Sequence, residues 1–229
     1  MGKLWKLFLF SKFPCLHSRS LMKSSENLVL LENLLKHAEM MFMKQGIKGL
    51  TMDDLAKEMG MSKKTIYALI RDKEHLVQEV MNYYVKKEVK TVEQIRKQAK
   101  NPIEEMVLIM SHVLQTTKEL NPQVLFDMQK LYPKSWQIFH DYRNGYIFNF
   151  IHSNIEAGIK NDYYRSDIET DIITKFYLGA INVITDQALF PIKQYSFVAL
   201  LQAYIQYHLR AIVSQKGLQE LLQYKDIKV

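Results

Sequence analysis

The chain has 229 residues, 48% of them apolar, with eight glycines, five prolines and one cysteine. This composition supports a full hydrophobic core and excludes a disordered chain, while the lone Cys15 excludes an intramolecular disulfide framework and fits a reducing, cytoplasmic compartment. The net charge of +7 is lopsided: residues 1–100 hold 19 Lys and Arg against 11 Asp and Glu, and residues 101–229 hold 12 against 13, so the basic excess and a polyanionic partner belong to the N-terminal part.

Apolar spacing is helical almost throughout, which predicts an all-α fold of about nine helices. Residues 1–22, MGKLWKLFLFSKFPCLHSRSLM, imitate a targeting signal, but the apolar run from Leu7 to Phe10 is short and is broken by Lys12 and Pro14. They are expected to form a disordered extension or to lie upstream of a true start at Met22, a mobile basic arm on DNA being the alternative. A first helix then runs from about Glu26 to Gln45, with Ser25 as its cap. Leu31, Leu34, Leu35, Ala38 and Phe42 form its buried stripe, and Gly46 ends it.

The stretch TMDDLAKEMGMSKKTIYALIRDK, Thr51 to Lys73, has the pattern of two short helices crossing through a tight turn. Thr51 caps the first helix and Asp54 can return the bond, a short-acid form of the capping box. Leu55 and Met59 share one face, with small Ala56 at the crossing point. Gly60 closes the helix, and Ser62 caps the next after a three-residue connection, Gly60-Met61-Ser62. Ile66, Leu69 and Ile70 bury one face of that second helix and turn Lys63, Lys64, Thr65, Tyr67 and Ala68 outward. Two lysines, a hydroxyl and an aromatic near a helix N-terminus suit phosphate and base-edge contact. Asp72 caps a long fourth helix carrying Leu76, Val80, Tyr83 and Tyr84.

Residues 101–120, 121–131, 134–160, 167–189 and 195–223 read as further helices, with Asn-Pro at 101 and 121 and Pro133 marking starts and breaks. This divides the chain into an N-terminal three-helix helix-turn-helix domain, residues 23–71, and a larger helical domain, residues 72–229, expected to serve sensing or assembly. No run of about 18 apolar residues occurs, so no membrane span is expected.

The run from Leu34 to Leu76 resembles the N-terminal domain of the TetR family of bacterial transcriptional regulators. The resemblance is carried by Ala38, Phe42 and Gly46, Thr51, Leu55-Ala56, Gly60, Ser62, Thr65-Ile66-Tyr67 and Lys73-Glu74. It implies phosphate contacts from Thr51, Tyr67 and Lys73, base contacts from Lys63, Lys64 and Ala68, and a backbone contact from Arg71. Ser62 and Thr65 complete the expected DNA-binding set. Lys64 stands where a small residue is usual, and Leu69-Ile70 replaces a commoner aromatic-containing pair, so the operator sequence does not follow from the resemblance.

In the large domain the resemblance is one of layout. Ile173, Tyr177, Ala180, Ile181 and Ile184, with Leu201, Tyr204, Ile205, His208 and Ile212, keep the spacing of a four-helix dimer interface, an intrachain core being the alternative. Candidate pocket residues are Met110, Phe126, Met128, Trp136, Phe139, His140, Tyr142, Arg143 and Tyr146. The expected function is a ligand-responsive transcriptional regulator, most plainly a repressor. It would bind a pseudo-palindromic double-stranded operator as a homodimer and be released by a small apolar effector. A nonspecific or architectural DNA-binding protein without effector is the alternative. No phosphate loop, nucleophile elbow, Cys-x-x-Cys or His-Glu-x-x-His occurs, and no histidine has Glu three residues before it, so neither an enzyme nor a metal or cofactor is expected.

Overall fold

The structure, a computed structural model, describes residues 16–118, 120–121, 123–191 and 193–224. Helix α1 spans Leu16–Gln45, α2 Met52–Glu58, α3 Lys63–Leu69, α4 Lys73–Gln98, α5 Pro102–Thr117 and α6 Gln123–Leu131. Then follow α7 Pro133–Tyr142, a π turn Arg143–Ile147, α8 Phe148–Lys160, α9 Thr170–Ile184, α10 Phe197–Ile212 and α11 Gln215–Leu221. The fold is all-α, with an N-terminal helix-turn-helix unit and a C-terminal helical bundle. No helix among the described residues is long and apolar enough to cross a membrane.

Helix α1 begins at Leu16, not at the expected Glu26, because no proline or glycine interrupts the sequence between Pro14 and Gly46. Of the expected extension over 1–22, residues 1–15 lie outside the described residues and 16–22 belong to α1. Gly46 ends the helix at φ 84°, a left-handed geometry that glycine adopts without penalty.

Two cores share α4. The N-terminal core joins Leu34, Ala38 and Phe42 of α1 to Leu55, Ile66 and Ile70 of the helix-turn-helix, and it continues into Leu76, Val77, Val80 and Met81 of α4 and Met128 of α6. The second core begins further along α4 at Val92 and takes in Ile103, Met106, Val107, Ile109 and Met110 of α5. It closes over Phe150, Ile151 and Ile155 of α8 and the inner face of α10. One continuous helix therefore joins the helix-turn-helix unit to the bundle.

The expected helix over 195–223 is two helices. Val213 leaves helical geometry at ψ 142° because residues 163–165 pair with the junction: Arg165 N–H donates to the Ile212 carbonyl at 2.9 Å and Ser214 N–H to the Tyr163 carbonyl at 3.0 Å. Ser214 then caps α11 by accepting from Gly217 N–H at 3.0 Å. Gly217 is required there, since a Cβ would stand 1.9 Å from the Tyr163 carbonyl oxygen. The expected helix over 134–160 runs from Pro133 through the π turn into α8, so the chain has eleven α-helices among the described residues where about nine were expected.

The apolar stripe expected to form a dimer interface faces inward instead. Ile184, Leu201, Ile205 and Ile212 are core residues, and His208 is 5% exposed between Tyr177 and Tyr204. Burial pushes the His208 imidazole down to about 4, so it is neutral at physiological pH. Ile173, Tyr177 and Ile181 pack against the same core, and Ala180 and Tyr204 are half-buried, with the Tyr204 hydroxyl donating to the Tyr177 carbonyl at 3.2 Å. The physical reason is that periodicity marks the face that most needs burial, and the first claim on it is intrachain. The opposite faces of α9 and α10 are also apolar: Ile172, Phe176 and Val183 on α9, and Ala199, Ala203 and Tyr207 on α10. Phe176 is 69% exposed and Tyr207 74%.

Candidate nucleic-acid interface and effector cavities

Three caps build the N-terminal surface. The Thr51 hydroxyl donates to Asp54 Oδ2 at 2.6 Å and receives the Asp54 N–H at 3.1 Å, while Thr51 N–H donates to the same carboxylate at 2.9 Å. These bonds hold the Asp54 carboxyl below its ordinary range. Gly60 turns the chain at φ 61°, and Ser62 caps α3 by accepting from Thr65 N–H at 3.1 Å. Asp72 caps α4 by accepting from His75 N–H at 2.8 Å; that bond, with the Arg71 guanidinium at 2.9 Å, lowers its carboxyl as well.

With both helices anchored, α3 presents Ser62, Lys63, Lys64, Tyr67 and Ala68 to solvent, flanked by exposed Thr51 and Arg71. Ile66 and Ile70, each 0% exposed, pin the opposite face. Thr65 is half-buried and its hydroxyl lies 2.8 Å from that of Ser62, so it completes the cap. Lys63 Nζ stands 2.6 Å from Asp53 Oδ2 on the neighbouring helix, an exposed pair that phosphate can replace at small cost. Lys73 is turned inward: its ammonium is half-buried and donates to the Lys48 carbonyl at 3.2 Å, and desolvation lowers its pKa against the pull of Asp127 and Asp54.

Sequence reasoning missed the other half of that contact. Asp127 of α6, 2% exposed, accepts Lys48 N–H at 2.8 Å and Gln123 Nε2 at 2.9 Å. Asn121 N–H donates to the Met43 carbonyl at 2.8 Å beside it. The backbone of Lys48, three residues before the Thr51 cap, is thus gripped by Asp127 from the bundle and by Lys73 from α4. An acidic residue between the apolar Phe126 and Met128 was the available signal.

Two cavities flank Phe139. The first, about 110 Å³, lies in the N-terminal core and is lined by Glu39, Phe42 and Met43 of α1, Val77, Val80 and Tyr84 of α4, Thr116 of α5, Leu125 and Met128 of α6, and Phe139. The second, about 260 Å³, lies between Phe126, Trp136 and Phe139 on one side and Ile181, Ile184, Phe190 and Phe197 on the other. Of the expected pocket residues, Phe126, Met128, Trp136 and Phe139 line these spaces. The other five line neither. Met110, 1% exposed, is plain core. Tyr142 stacks on Tyr146, whose hydroxyl donates to Glu93 at 2.8 Å; Arg143 donates to Asn182 at 3.0 Å, and His140 lies 3.1 Å from the Asn144 amide. A helical face that looks like a pocket wall is spent here on helix-to-helix bonds.

Residues 34–80 match the family described as bacterial regulatory proteins, tetR family. Over 151 residues the chain is 26% identical to the HTH-type transcriptional regulator YvaF of Bacillus subtilis (strain 168), covering 62% of this chain and 74% of that protein. A TetR-family regulator from Agrobacterium tumefaciens has the same fold at TM-score 0.67 and 11% identity, over 82% of this chain and 100% of that one. So does a transcriptional regulator from Saccharomonospora viridis solved in complex with choline, at TM-score 0.67 and 19% identity, over 81% of this chain and 98% of that one. The capped helix-turn-helix and its basic outer face thus make residues 34–80 a DNA-binding domain of the TetR-family type, in a chain that resembles HTH-type transcriptional regulators.

Proposed function

We propose that the chain acts in the cytoplasm as a homodimeric repressor, binding a pseudo-palindromic operator through α3 and released by a small-molecule effector. The observation that carries this reading is the pairing of an anchored, outward-facing α3 with an apolar face on α9 and α10 that the chain leaves uncovered. A second copy seated on Ile172, Phe176, Val183 and Tyr207 would hold two recognition helices roughly 34–36 Å apart, one helical turn of DNA. Lys63, Lys64 and Ala68 would then meet base edges, with Ser62, Thr51, Tyr67 and Arg71 on the backbone and Lys73 reaching phosphate only by giving up Lys48. Thr65 supports the cap.

Release follows from where the first cavity lies. Its walls belong to α1 and α4 on one side and to α6 and α7 on the other, so an occupant works as a wedge between the DNA-binding unit and the bundle. The effector shifts the population only by its differential affinity for the two arrangements. Choline bound to the Saccharomonospora relative supports a small ligand in this fold.

DNase footprinting upstream of the gene and its neighbours tests the reading, with a short dyad-symmetric protected site as the expected result. Lys64→Ala should weaken that site about tenfold and relax its preference over random DNA. Protection spread evenly over all sequences, falling only with salt, would favour an architectural protein instead.

A further inference from the structure

The first cavity is apolar except for Glu39, which pairs with Lys87, and the threonines of α5. Beyond Tyr84 and Thr116, which line it, the same faces of α4 and α5 continue one turn to Glu88 and His112. Glu88 is 5% exposed. Its Oε2 lies 2.8 Å from His112 Nε2, and its Oε1 is buried and reaches no donor. His112 engages only one of the two carboxylate oxygens, so Glu88 keeps a free acceptor. The cations nearest along the helix are engaged elsewhere: Lys87 pairs with Glu39 and Arg96 with Glu105. The phenols of Tyr84 and Tyr142 both lie close enough to Glu88 to feel its charge.

A buried, uncompensated carboxylate oxygen is costly to keep, and such groups are retained where something else completes them. A neutral donor would satisfy the hydrogen bond and leave the charge. A protonated amine satisfies both. Resting on the effector reading above, we propose that the effector is a small organic amine: its apolar body fills the cavity between α1, α4 and α6, and its ammonium N–H is received by Glu88 Oε1. The space, about 110 Å³, suits an apolar body of roughly four or five heavy atoms, since an apolar cavity of about 150 Å³ holds the six of benzene, and the turn between it and Glu88 takes the rest of a short chain.

The test compares three ligands of one length on the full chain at neutral pH: hexylamine, hexanol and hexanoate, followed by calorimetry and by release of the footprinted operator. Hexylamine should bind at least about tenfold tighter than hexanol, and hexanoate weakest, because a charge-assisted bond to a buried carboxylate is at stake. Glu88→Gln should remove most of the amine's advantage and leave hexanol where it was. If that variant does not fold, the Glu88 carboxyl NMR signal of the wild-type chain replaces it, expected to move with hexylamine and not with hexanol. Equal binding of all three, an amine affinity indifferent to Glu88→Gln, or an unmoved signal overturns the amine while leaving an apolar effector cavity standing. Failure of all three to bind, with Val80→Phe in the cavity wall changing nothing, overturns both.

Discussion

Placing glutamate at both Phe176 and Tyr207 is expected to yield a monomer at micromolar concentration and to lower operator affinity by about 100-fold or more. Both side chains lie outside the intrachain core and are mostly exposed, at 69% and 74%, so their replacement leaves that core intact. In a dimer they would be desolvated against their symmetry mates, where four like charges repel and lack partners. The affinity falls because a single α3 reads one half-site, and specific binding exceeds nonspecific binding by on the order of a thousandfold or more only when both are engaged. Sedimentation and gel-shift titration check the two halves separately. A variant that stays dimeric moves the interface off α9 and α10. One that is monomeric yet binds the operator at full strength ends the two-half-site mechanism.

The second large effect is expected at Asp127. Asp127→Ala should cost about 3 kcal/mol in urea unfolding and should blunt effector release. The substitution strips Lys48 N–H and the Gln123 amide of their acceptor and leaves the half-buried Lys73 ammonium without its nearest buried counter-charge. Asp127→Asn retains an acceptor oxygen and should lose less than half as much. Coupling suffers because Asp127 is the bond through which α6, a wall of the first cavity, holds the loop that leads into Thr51 and α2. Operator release at rising hexylamine concentration, measured for both variants, reads the coupling; two variants indistinguishable from wild type in stability and release would show that Lys48 is held by Lys73 alone.

What was legible in the sequence was local. The Thr51 and Asp54 box, Gly60 at positive φ, the Ser62 and Asp72 caps and the buried Ile66 and Ile70 depend on residues within a few positions of one another, where side-chain chemistry and helical period decide the outcome. The break at Val213 was not legible, because its cause is a pairing with Tyr163 and Arg165 some fifty residues away. Pocket residues failed for a related reason. Met110 and Phe139 look alike as apolar positions on helices, and only their neighbours make one core and the other a cavity wall.

By itself the sequence determined the all-α class, the helix-turn-helix and its outward basic face, because capping and periodicity are written into consecutive residues. The tertiary structure alone decided which apolar face of α9 and α10 is spent within the chain and which stays exposed. It also decided that Asp127 and Lys73 clamp Lys48, and that Glu88 is buried with one oxygen unanswered. Each of these is a relation between distant residues, set by how helices pack and not by what any one helix contains.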